Sequence, residues 1–346
     1  PYIKASIYEQ EEAEKGEVYK SIFGNQYRNL YGKKIKAPVA YLDTLYGGLE
    51  VIRAGGGHQT RSLRLKDKKG RDYNLRALKK SALQLLQTVA FKDEEVGEDF
   101  ENTLAEKAIQ DFYTAAHPYA FMVVPDLSEA INIYHTNPQI FYVPKQQALK
   151  DYNEDYGDEL YMLVERPEEG WMDSDKFGSP NEDIESTSGL FERLRRDEEY
   201  HLDEATYIRA RVFDMLLGDW DRHQDQWRWS EFEDEEGNKT FKPIPRDRDQ
   251  VFSNFDGAFF ATLRGISGFG NQFSTYGENI GDIEWFNSSV VGLDRALLQN
   301  KGKEEWLKQA KYVQENITDE VIEKAFSKLP EEILAEESTA KLKSDL

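Results

Sequence analysis

The stretch GDWDRHQDQW, residues 218–227, crowds acidic and amide side chains, a histidine and an arginine around two tryptophans. Apolar residues recur at helical spacing in the segment before it, at Ala205, Ile208, Val212, Met215 and Leu216. This spacing predicts a buried helix over about 202–217 that ends at Gly218. Asp221 follows closely on that end, so packing of the helix would hold its backbone while its side chain faces a cleft or solvent.

A second acidic stretch, IPRDRDQVF at residues 244–252, has the composition of a strand. Residues two apart in a strand share a face, so we expect Asp247 and Asp249 to point the same way. Charged side chains between apolar ones such as Ile244 and Val251 are costly unless a cation or another partner compensates them. Two carboxylates on one face form a hard-oxygen site suited to Mg²⁺ or Mn²⁺.

Each acidic stretch also has a purely structural explanation when it is taken alone. Residues 221–223 could be a helix-capping cluster in which arginine and aspartate pair at the surface. The alternating charges of 246–249 could form a ladder of salt bridges across an exposed hairpin. The two stretches together favour a shared site, because the returning strand would bring its aspartates to the end of the helix.

The spacing of these residues resembles that of the atypical kinase superfamily. Kinase-like enzymes place a catalytic-loop aspartate after a long helix, a metal-ligand amide about five residues later, and a second metal-binding aspartate after a hairpin. Asp221 and Gln226 have that separation, and the segment 244–252 supplies the second aspartate. The match covers residues 205–256. It is similar to phosphoinositide kinases, HipA-type kinases, secretory-pathway kinases and especially spore-coat protein kinases. These groups share an Asp-Arg-His-like catalytic loop, and the spore-coat group also has an Ile-Pro-x-Asp-x-Asp strand.

The resemblance implies an α+β, bilobal protein-kinase-like fold with a strand-rich N-lobe and a mainly helical C-lobe. It implies an ATP-dependent phosphotransferase that uses Mg²⁺ or Mn²⁺ and acts on an unknown protein or small-molecule phosphoacceptor. Asp221 would accept or position the proton of the acceptor hydroxyl, and His223 would orient Asp221 or contact the transferring phosphate. The metal ligands would be Gln226, Asp247 and Asp249.

Several positions depart from the kinase pattern. Gln226 stands where asparagine is usual, and neither H-R-D nor D-F-G occurs in the chain. The glycine cluster of the first half does not match G-x-G-x-x-G. A catalytically inactive kinase-like module that binds a nucleotide or a partner therefore remains an alternative.

The first half of the chain has the pattern of antiparallel hairpins. Residues 45–80 alternate apolar and polar side chains, with glycine clusters between the runs. We therefore divide the chain into an N-terminal extension at 1–44, an N-lobe at 45–166 that contains hairpins and one helix, and a C-lobe at 167–346.

By the same resemblance, the N-lobe would hold the phosphates of the nucleotide. The residues concerned lie in the glycine cluster and in a later strand, and they are Gly55, Gly56, Gly57, Arg76, Lys79 and Lys80. The glycines would cover the phosphates, or form an ordinary hairpin turn. One of the three cations would neutralise the phosphates, or all three would be solvated charges at the edge of a strand.

The resemblance assigns two further parts of the N-lobe. Glu106, on a helix predicted around 100–116, would pair with the phosphate-binding cation, or be an exposed helix glutamate. An apolar strand would then lead into the hinge between the lobes. There the backbone groups of Val164, Glu165 and Arg166 would meet adenine.

Two other classes of protein fit parts of the sequence. The two Asp-x-Asp pairs, within 219–221 and 247–249, also occur where glycosyltransferases bind a metal and a nucleotide sugar. A non-enzymatic glycan-binding surface is suggested by the 6 tryptophans and 19 tyrosines. Trp227 and Trp229 would share one face of a strand and could stack on a sugar, although such a pair more often belongs to a core.

Composition excludes several functions. The 346 residues carry a net charge of −21, which argues against general binding to nucleic acid or to anionic membranes. The chain has no cysteine, so disulfides, cysteine nucleophiles and thiolate zinc sites are excluded. No apolar run is long enough to span a membrane, and no signal-peptide pattern opens the chain. Because the chain opens on Pro1, we expect a piece of a longer protein, one of the cell envelope among the candidates, and its compartment stays open.

Overall fold

The computed structural model describes residues 1–55, 60–80, 113–258 and 275–346. The described strands are β1 (Tyr2–Ala5), β2 (Ile35–Pro38), β3 (Leu49–Ala54), β4 (Ser62–Asp67), β5 (Asp72–Ala77), β6 (Gln139–Val143), β7 (Glu159–Glu165), β8 (Asp183–Ser186), β9 (Tyr200–Leu202), β10 (Trp227–Glu233) and β11 (Lys239–Pro245). The described helices are α1 (Gln10–Ala13), α2 (Glu17–Phe23), α3 (Arg28–Gly32), α4 (Val124–Ala130), α5 (Asn153–Tyr156), α6 (Thr187–Arg196), α7 (Glu204–Leu216), α8 (Ile283–Phe286), α9 (Val291–Leu297), α10 (Lys303–Asn316), α11 (Asp319–Phe326), α12 (Glu331–Leu334) and α13 (Glu337–Asp345). The predicted α+β class, with a strand-rich N-terminal part and a mainly helical C-terminal part, is confirmed.

A five-stranded antiparallel sheet, in the order β3-β4-β5-β7-β6, forms the N-terminal part. Leu63, Leu65 and Leu75 are fully buried in one apolar cluster on this sheet. Successive strand residues point to opposite faces, so Arg76, which pairs with Met162 across β5 and β7, lies on the other face. Met162 belongs to the apolar cluster of the helical part. The hairpins predicted from the alternation are therefore confirmed, and the face with Arg76 is turned toward the helical part.

A second sheet, in the order β8-β10-β11-β9, is built around the antiparallel hairpin of β10 and β11. Trp227 lies opposite Pro245 in this hairpin. Trp227 and Trp229 are fully buried, and both rings pack against Tyr207 of α7. The two large indoles remove apolar area from water in the core, so the predicted glycan-stacking surface is wrong.

The long helix predicted before the acidic loop is α7. Asp203 caps its N-terminus, with a carboxylate that accepts from the backbone N–H of Thr206 at 3.0 Å. The helix buries Phe213 and is followed by Gly218, whose φ of +66° lies in the left-handed region. A Cβ at Gly218 would also approach the ring of Tyr276 to 2.9 Å. Glycine therefore ends the helix where the sequence predicts it.

The strand predicted over 244–252 is shorter than expected, since β11 ends at Pro245. Asp247 has a φ of +50°, a left-handed conformation that breaks the pleat and that aspartate tolerates better than most residues. The chain then turns, and the backbone N–H of Phe252 donates to the carbonyl of Leu217 at 3.0 Å. The end of α7 and the end of this turn are thus tied together.

The residues predicted as an N-terminal extension contact both parts of the protein. β1 and β2 pair with each other, and Val39 bridges to Tyr142 beside the five-stranded sheet. Lys33 forms an ion pair with Glu336 of the C-terminal helices. The domain boundaries at 44 and 166 stay predictions. Among the described helices, none combines the length and apolarity needed to cross a lipid bilayer.

Candidate active site

Arg76 of β5 and Lys80, three residues beyond the end of β5, meet the aspartates that follow β11. An Nη1 of Arg76 contacts Asp247 Oδ1, and its Nη2 lies 3.6 Å from Asp249 Oδ2. Lys80 Nζ lies 3.5 Å from the same Asp249 oxygen. The two carboxylates therefore point the same way, as predicted, although a turn and not a strand orients them.

The third candidate cation, Lys79, lies elsewhere. Its Nζ is 3.6 Å from Glu12 and 5.1 Å from the centre of the Tyr8 ring. Lys79 and Lys80 both follow the end of β5 at Ala77, and their ammonium groups reach different partners. Of the three cations, the structure brings Arg76 and Lys80 to the aspartates.

The loop that carries Asp221 is held by hydrogen bonds that the sequence did not indicate. The Ser289 hydroxyl donates to the carbonyl of Trp220 at 2.7 Å and accepts from the backbone N–H of Arg222 at 3.1 Å. Asp221 lies between these two anchored residues, so its backbone is fixed on both sides. Ser289 comes from a distant segment, and only the fold shows that it contacts the loop.

Asp221 is one-third exposed and lies near the other two carboxylates. Burial raises the pKa of Asp221, and the negative charges of Asp249 and Asp247 raise it further, against the opposing effect of His223 and Arg222. His223 Nε2 lies 4.0 Å from Asp221 Oδ1. A carboxylate with a raised pKa is better able to accept a proton than an ordinary aspartate.

A buried ion network lies behind the loop, formed by three arginines and two aspartates. Arg248 contacts Asp214 and lies 2.9 Å from Asp219 Oδ2 through the same Nη1. Arg222 Nε lies 3.4 Å from Asp214 Oδ1, and Arg211 Nη1 lies 2.6 Å from Asp214 Oδ2. All five side chains are less than a tenth exposed. The network joins α7, the loop and the turn after β11.

The sequence did not predict this network. Its signal was an arginine and an aspartate, Arg211 and Asp214, placed three residues apart and next to the apolar residues Val212 and Phe213. Since Asp219 is fully buried and paired with Arg248, the segment 219–221 does not present two free carboxylates. The Asp-x-Asp pair within it therefore lacks the geometry expected of a glycosyltransferase metal site.

Gln226, predicted as a metal ligand, has a buried amide oxygen that no described group hydrogen-bonds. Its side chain is 8% exposed. Its Nε2 lies 3.2 Å from His223 Nε2. A buried carbonyl oxygen without a partner is costly, and a hard cation would compensate it.

The carboxylates fit such an ion in part. Burial acts to raise the pKa of Asp247, but the nearby guanidinium groups of Arg76 and Arg246 outweigh it and the pKa is lowered, so this group is ionised. Within the described ranges, no set of three or more histidine or acidic side chains is arranged to hold a metal. Binding of Mg²⁺ or Mn²⁺ by Gln226, Asp247 and Asp249 therefore stays a prediction.

Only part of the predicted phosphate loop is described. Gly56, Gly57 and Glu106 lie outside the described residues. Gly55 follows β3, and its backbone N–H donates to the carbonyl of Ser62 at 2.7 Å. A Cβ on Gly55 would lie 2.1 Å from the Ser62 hydroxyl oxygen, so a larger residue here would make that hydroxyl rotate away.

Backbone groups of the predicted hinge already form hydrogen bonds within the five-stranded sheet. Val164 pairs with Asn74, and the backbone N–H of Arg166 donates to the carbonyl of Asp72 at 2.9 Å. The Glu165 carboxylate accepts from the backbone N–H of Asn137 at 2.6 Å. The Arg166 N–H is thus not free to bond a base, and contact of this edge with adenine stays a prediction.

A cleft separates this sheet from the turn after β11. It is bounded by Met162 and Val164 on one side and by Asp247 and Asp249 on the other. The apolar wall and the paired carboxylates give it the mixed character of a site for a small ligand.

No family model matches the sequence, and no curated protein matches it. Among solved structures, the chain is similar to a Rio2 kinase from Chaetomium thermophilum, crystallised as an ADP/Mg²⁺-phosphoaspartate complex. The identity is 10%, the TM-score is 0.37, and the similarity covers 86% of this chain and 70% of the other. The interpretation of the site therefore rests on its own residues.

Proposed function

We propose that the protein is a phosphotransferase of the atypical kinase type that uses ATP with Mg²⁺ or Mn²⁺. The observation that carries the proposal is the meeting of Arg76 with Asp247 and Asp249, next to the loop of Asp221. In protein kinases a cation on a central strand of the N-terminal sheet binds the phosphates, an aspartate after a hairpin binds the metal, and a loop aspartate faces the acceptor hydroxyl.

Each residue has a defined part in this proposal. Asp221 accepts the proton of the acceptor hydroxyl, which its raised pKa favours. Arg76 and Lys80 neutralise phosphate oxygens, and Asp247 with Asp249 and Gln226 hold the metal. When bound, Mg²⁺ or Mn²⁺ would neutralise charge that develops on the phosphates.

One observation favours a second candidate, a nucleotide-binding module without transfer activity. Arg76 directly contacts Asp247, so a metal must compete with a guanidinium group for this carboxylate. Gln226 also stands where kinases have asparagine. Binding of ATP without release or transfer of its γ-phosphate would identify this module.

Metal-dependent binding of ATP tests the proposal directly. We expect ATP with Mg²⁺ or Mn²⁺ to raise the melting temperature of the protein, since a ligand that binds only the folded state stabilises it. Asp247→Asn should weaken metal–ATP binding by about tenfold or more, because a charged metal ligand is lost. Isothermal titration and thermal melting measure both effects.

The control for this measurement is Asp225→Asn, since Asp225 lies in the same loop as Asp221 but is 82% exposed. It should bind metal–ATP as the unmodified protein does. If neither Mg²⁺–ATP nor Mn²⁺–ATP raises the melting temperature of the protein, the phosphotransferase proposal is wrong.

The pH dependence of transfer should report on Asp221. Burial, with the charges of Asp249 and Asp247, places its pKa above the ordinary 3.8, so transfer should fall as pH drops through this raised pKa. His223 lowers the pKa of Asp221, so His223→Gln should move this acid limb to higher pH. The kcat measured against pH for both proteins checks the shift; a limb that stays in place or moves to lower pH contradicts it.

A further inference from the structure

The hairpin of β10 and β11 has a second face, opposite its buried indoles. Arg228 pairs with Ile244 across the hairpin, and the backbone N–H of Arg246 donates to the carbonyl of Gln226 at 2.8 Å. Paired residues, and residues two apart, share a face of a sheet. Arg228 and Arg246 therefore lie on the same face as the amide of Gln226 and border the candidate metal site.

These two partly buried guanidinium groups make no hydrogen bond to a described carboxylate. Arg246 has a side chain 12% exposed, and its Nη1 is buried with no hydrogen-bond partner among the described residues. Its Nη2 is 3.9 Å from Asp247 Oδ2, too long for a hydrogen bond. Arg228 donates to its neighbour's carbonyl, Trp227 O, at 2.8 Å, and no described carboxylate lies within 4.0 Å of it. A largely buried guanidinium such as that of Arg246, whose nearest carboxylate is beyond hydrogen-bond distance, is incompletely compensated.

Arg228 and Arg246 also repel other cations nearby. Burial lowers the pKa of Arg246 to about 10; Asp247 opposes this, and Arg228, Arg166 and Arg76 lower it further. Burial likewise lowers the pKa of Arg228, and Arg166 adds to the effect. Glu168 pairs with Arg166 but not with Arg228 or Arg246. Arg166, Arg228 and Arg246 therefore concentrate positive charge beside Asp247, in a chain whose net charge is −21.

We propose that Arg228 and Arg246, with Arg166 at the rim, form an anion site that takes a phosphate group. The planar guanidinium fork matches phosphate oxygens in two parallel hydrogen bonds. These arginines border the hinge where the resemblance places adenine, and a neutral base would leave both charges unpaired. The site is inferred from the arginines alone and does not rest on the proposed phosphotransferase activity.

Two ligands could supply this phosphate. It belongs either to the phosphate chain of the nucleotide or to a phosphorylated acceptor bound beside the nucleotide. Both present the same chemistry to the arginines, so one binding experiment detects the site and a competition identifies the source.

Tripolyphosphate without metal is the probe for the site, and isothermal titration at low salt is the measurement. We expect the unmodified protein to bind tripolyphosphate. Arg228→Gln and Arg246→Gln should each lower the affinity by about tenfold. The affinity of Arg228→Lys should lie between those of the unmodified protein and Arg228→Gln, since lysine keeps the charge and loses the guanidinium fork. The control is Arg196→Gln, an exposed arginine at the end of α6, which should bind as the unmodified protein does.

Thermal melting identifies variants that fail to fold, and a folded Arg228→Gln is sufficient for the comparison. Equal affinity in Arg228→Gln, Arg228→Lys and the unmodified protein overturns the site, as does the absence of tripolyphosphate binding to the unmodified protein. If tripolyphosphate binds but metal–ATP does not stabilise the protein, the anion site is supported and the phosphotransferase proposal is wrong.

Saturating ADP with Mg²⁺ then separates the two sources. If ADP displaces tripolyphosphate, the arginines hold the phosphate chain of the nucleotide. If tripolyphosphate binds equally well with ADP present, the arginines hold a phosphate of a second ligand, and phosphorylated small molecules become the acceptors to test first.

Discussion

Asp221→Asn is expected to lower kcat for phosphoryl transfer by a factor of about 10²–10⁴ while leaving the affinity for metal–ATP nearly unchanged. The amide has the shape of the carboxylate but cannot accept the proton of the acceptor hydroxyl. Its backbone anchors at Trp220 and Arg222 would remain, because both bond to Ser289 and neither involves the Asp221 side chain.

The measurement is release or transfer of labelled γ-phosphate from ATP with Mg²⁺ or Mn²⁺. Asp225→Asn again provides the comparison, as a carboxylate of the same loop that is exposed to solvent. Full activity in Asp221→Asn means that another group accepts the proton. No transfer by the unmodified protein, together with tight metal–ATP binding, identifies the inactive module.

Asp214→Ala is expected to destabilise the protein by about 3–5 kcal/mol, the largest change in stability that the structure indicates. Burial acts to raise the pKa of Asp214, but Arg248, Arg222 and Arg211 outweigh it and lower the pKa, so the group is a buried carboxylate paired with three cations. Its removal leaves three buried guanidinium groups with too little negative charge.

Urea unfolding followed by tryptophan fluorescence measures this loss. A suitable comparison on the same helix is Glu204→Ala, which breaks a partly exposed ion pair with Lys301 at 2.5 Å and should change stability little. Similar stability of both variants would show that the buried network does not stabilise the fold. Because the network joins the loop to the turn after β11, Asp214→Ala should also reduce any transfer activity.

Local patterns predicted the elements that hold the site. Apolar spacing of 3.6 residues gave α7, and Gly218 marked its end. Period-two alternation predicted β4 and β5, and hence the strand that carries Arg76. These helices and strands depend on residues that are close together in the sequence, so the amino-acid sequence alone predicts them.

Long-range partners could not be predicted in this way. The left-handed backbone at Asp247 ended the strand early, because its conformation depends on where the chain must go next. Ser289 reaches the loop from a distant segment, and no spacing rule relates it to Trp220. The separation of Lys79 from Lys80 likewise depends on contacts with residues far away in the chain.

The hydrogen bond from Phe252 N–H to the carbonyl of Leu217 closes the intervening chain into a ring. All three carboxylates of the site belong to this ring, whereas Arg76 and Lys80 belong to the chain outside it. The width of the cleft therefore governs how far the cations stand from the carboxylates, while the ring itself sets the spacing of the carboxylates. The distance from the cations to the carboxylates can consequently change without a change in the spacing of Asp221, Asp247 and Asp249.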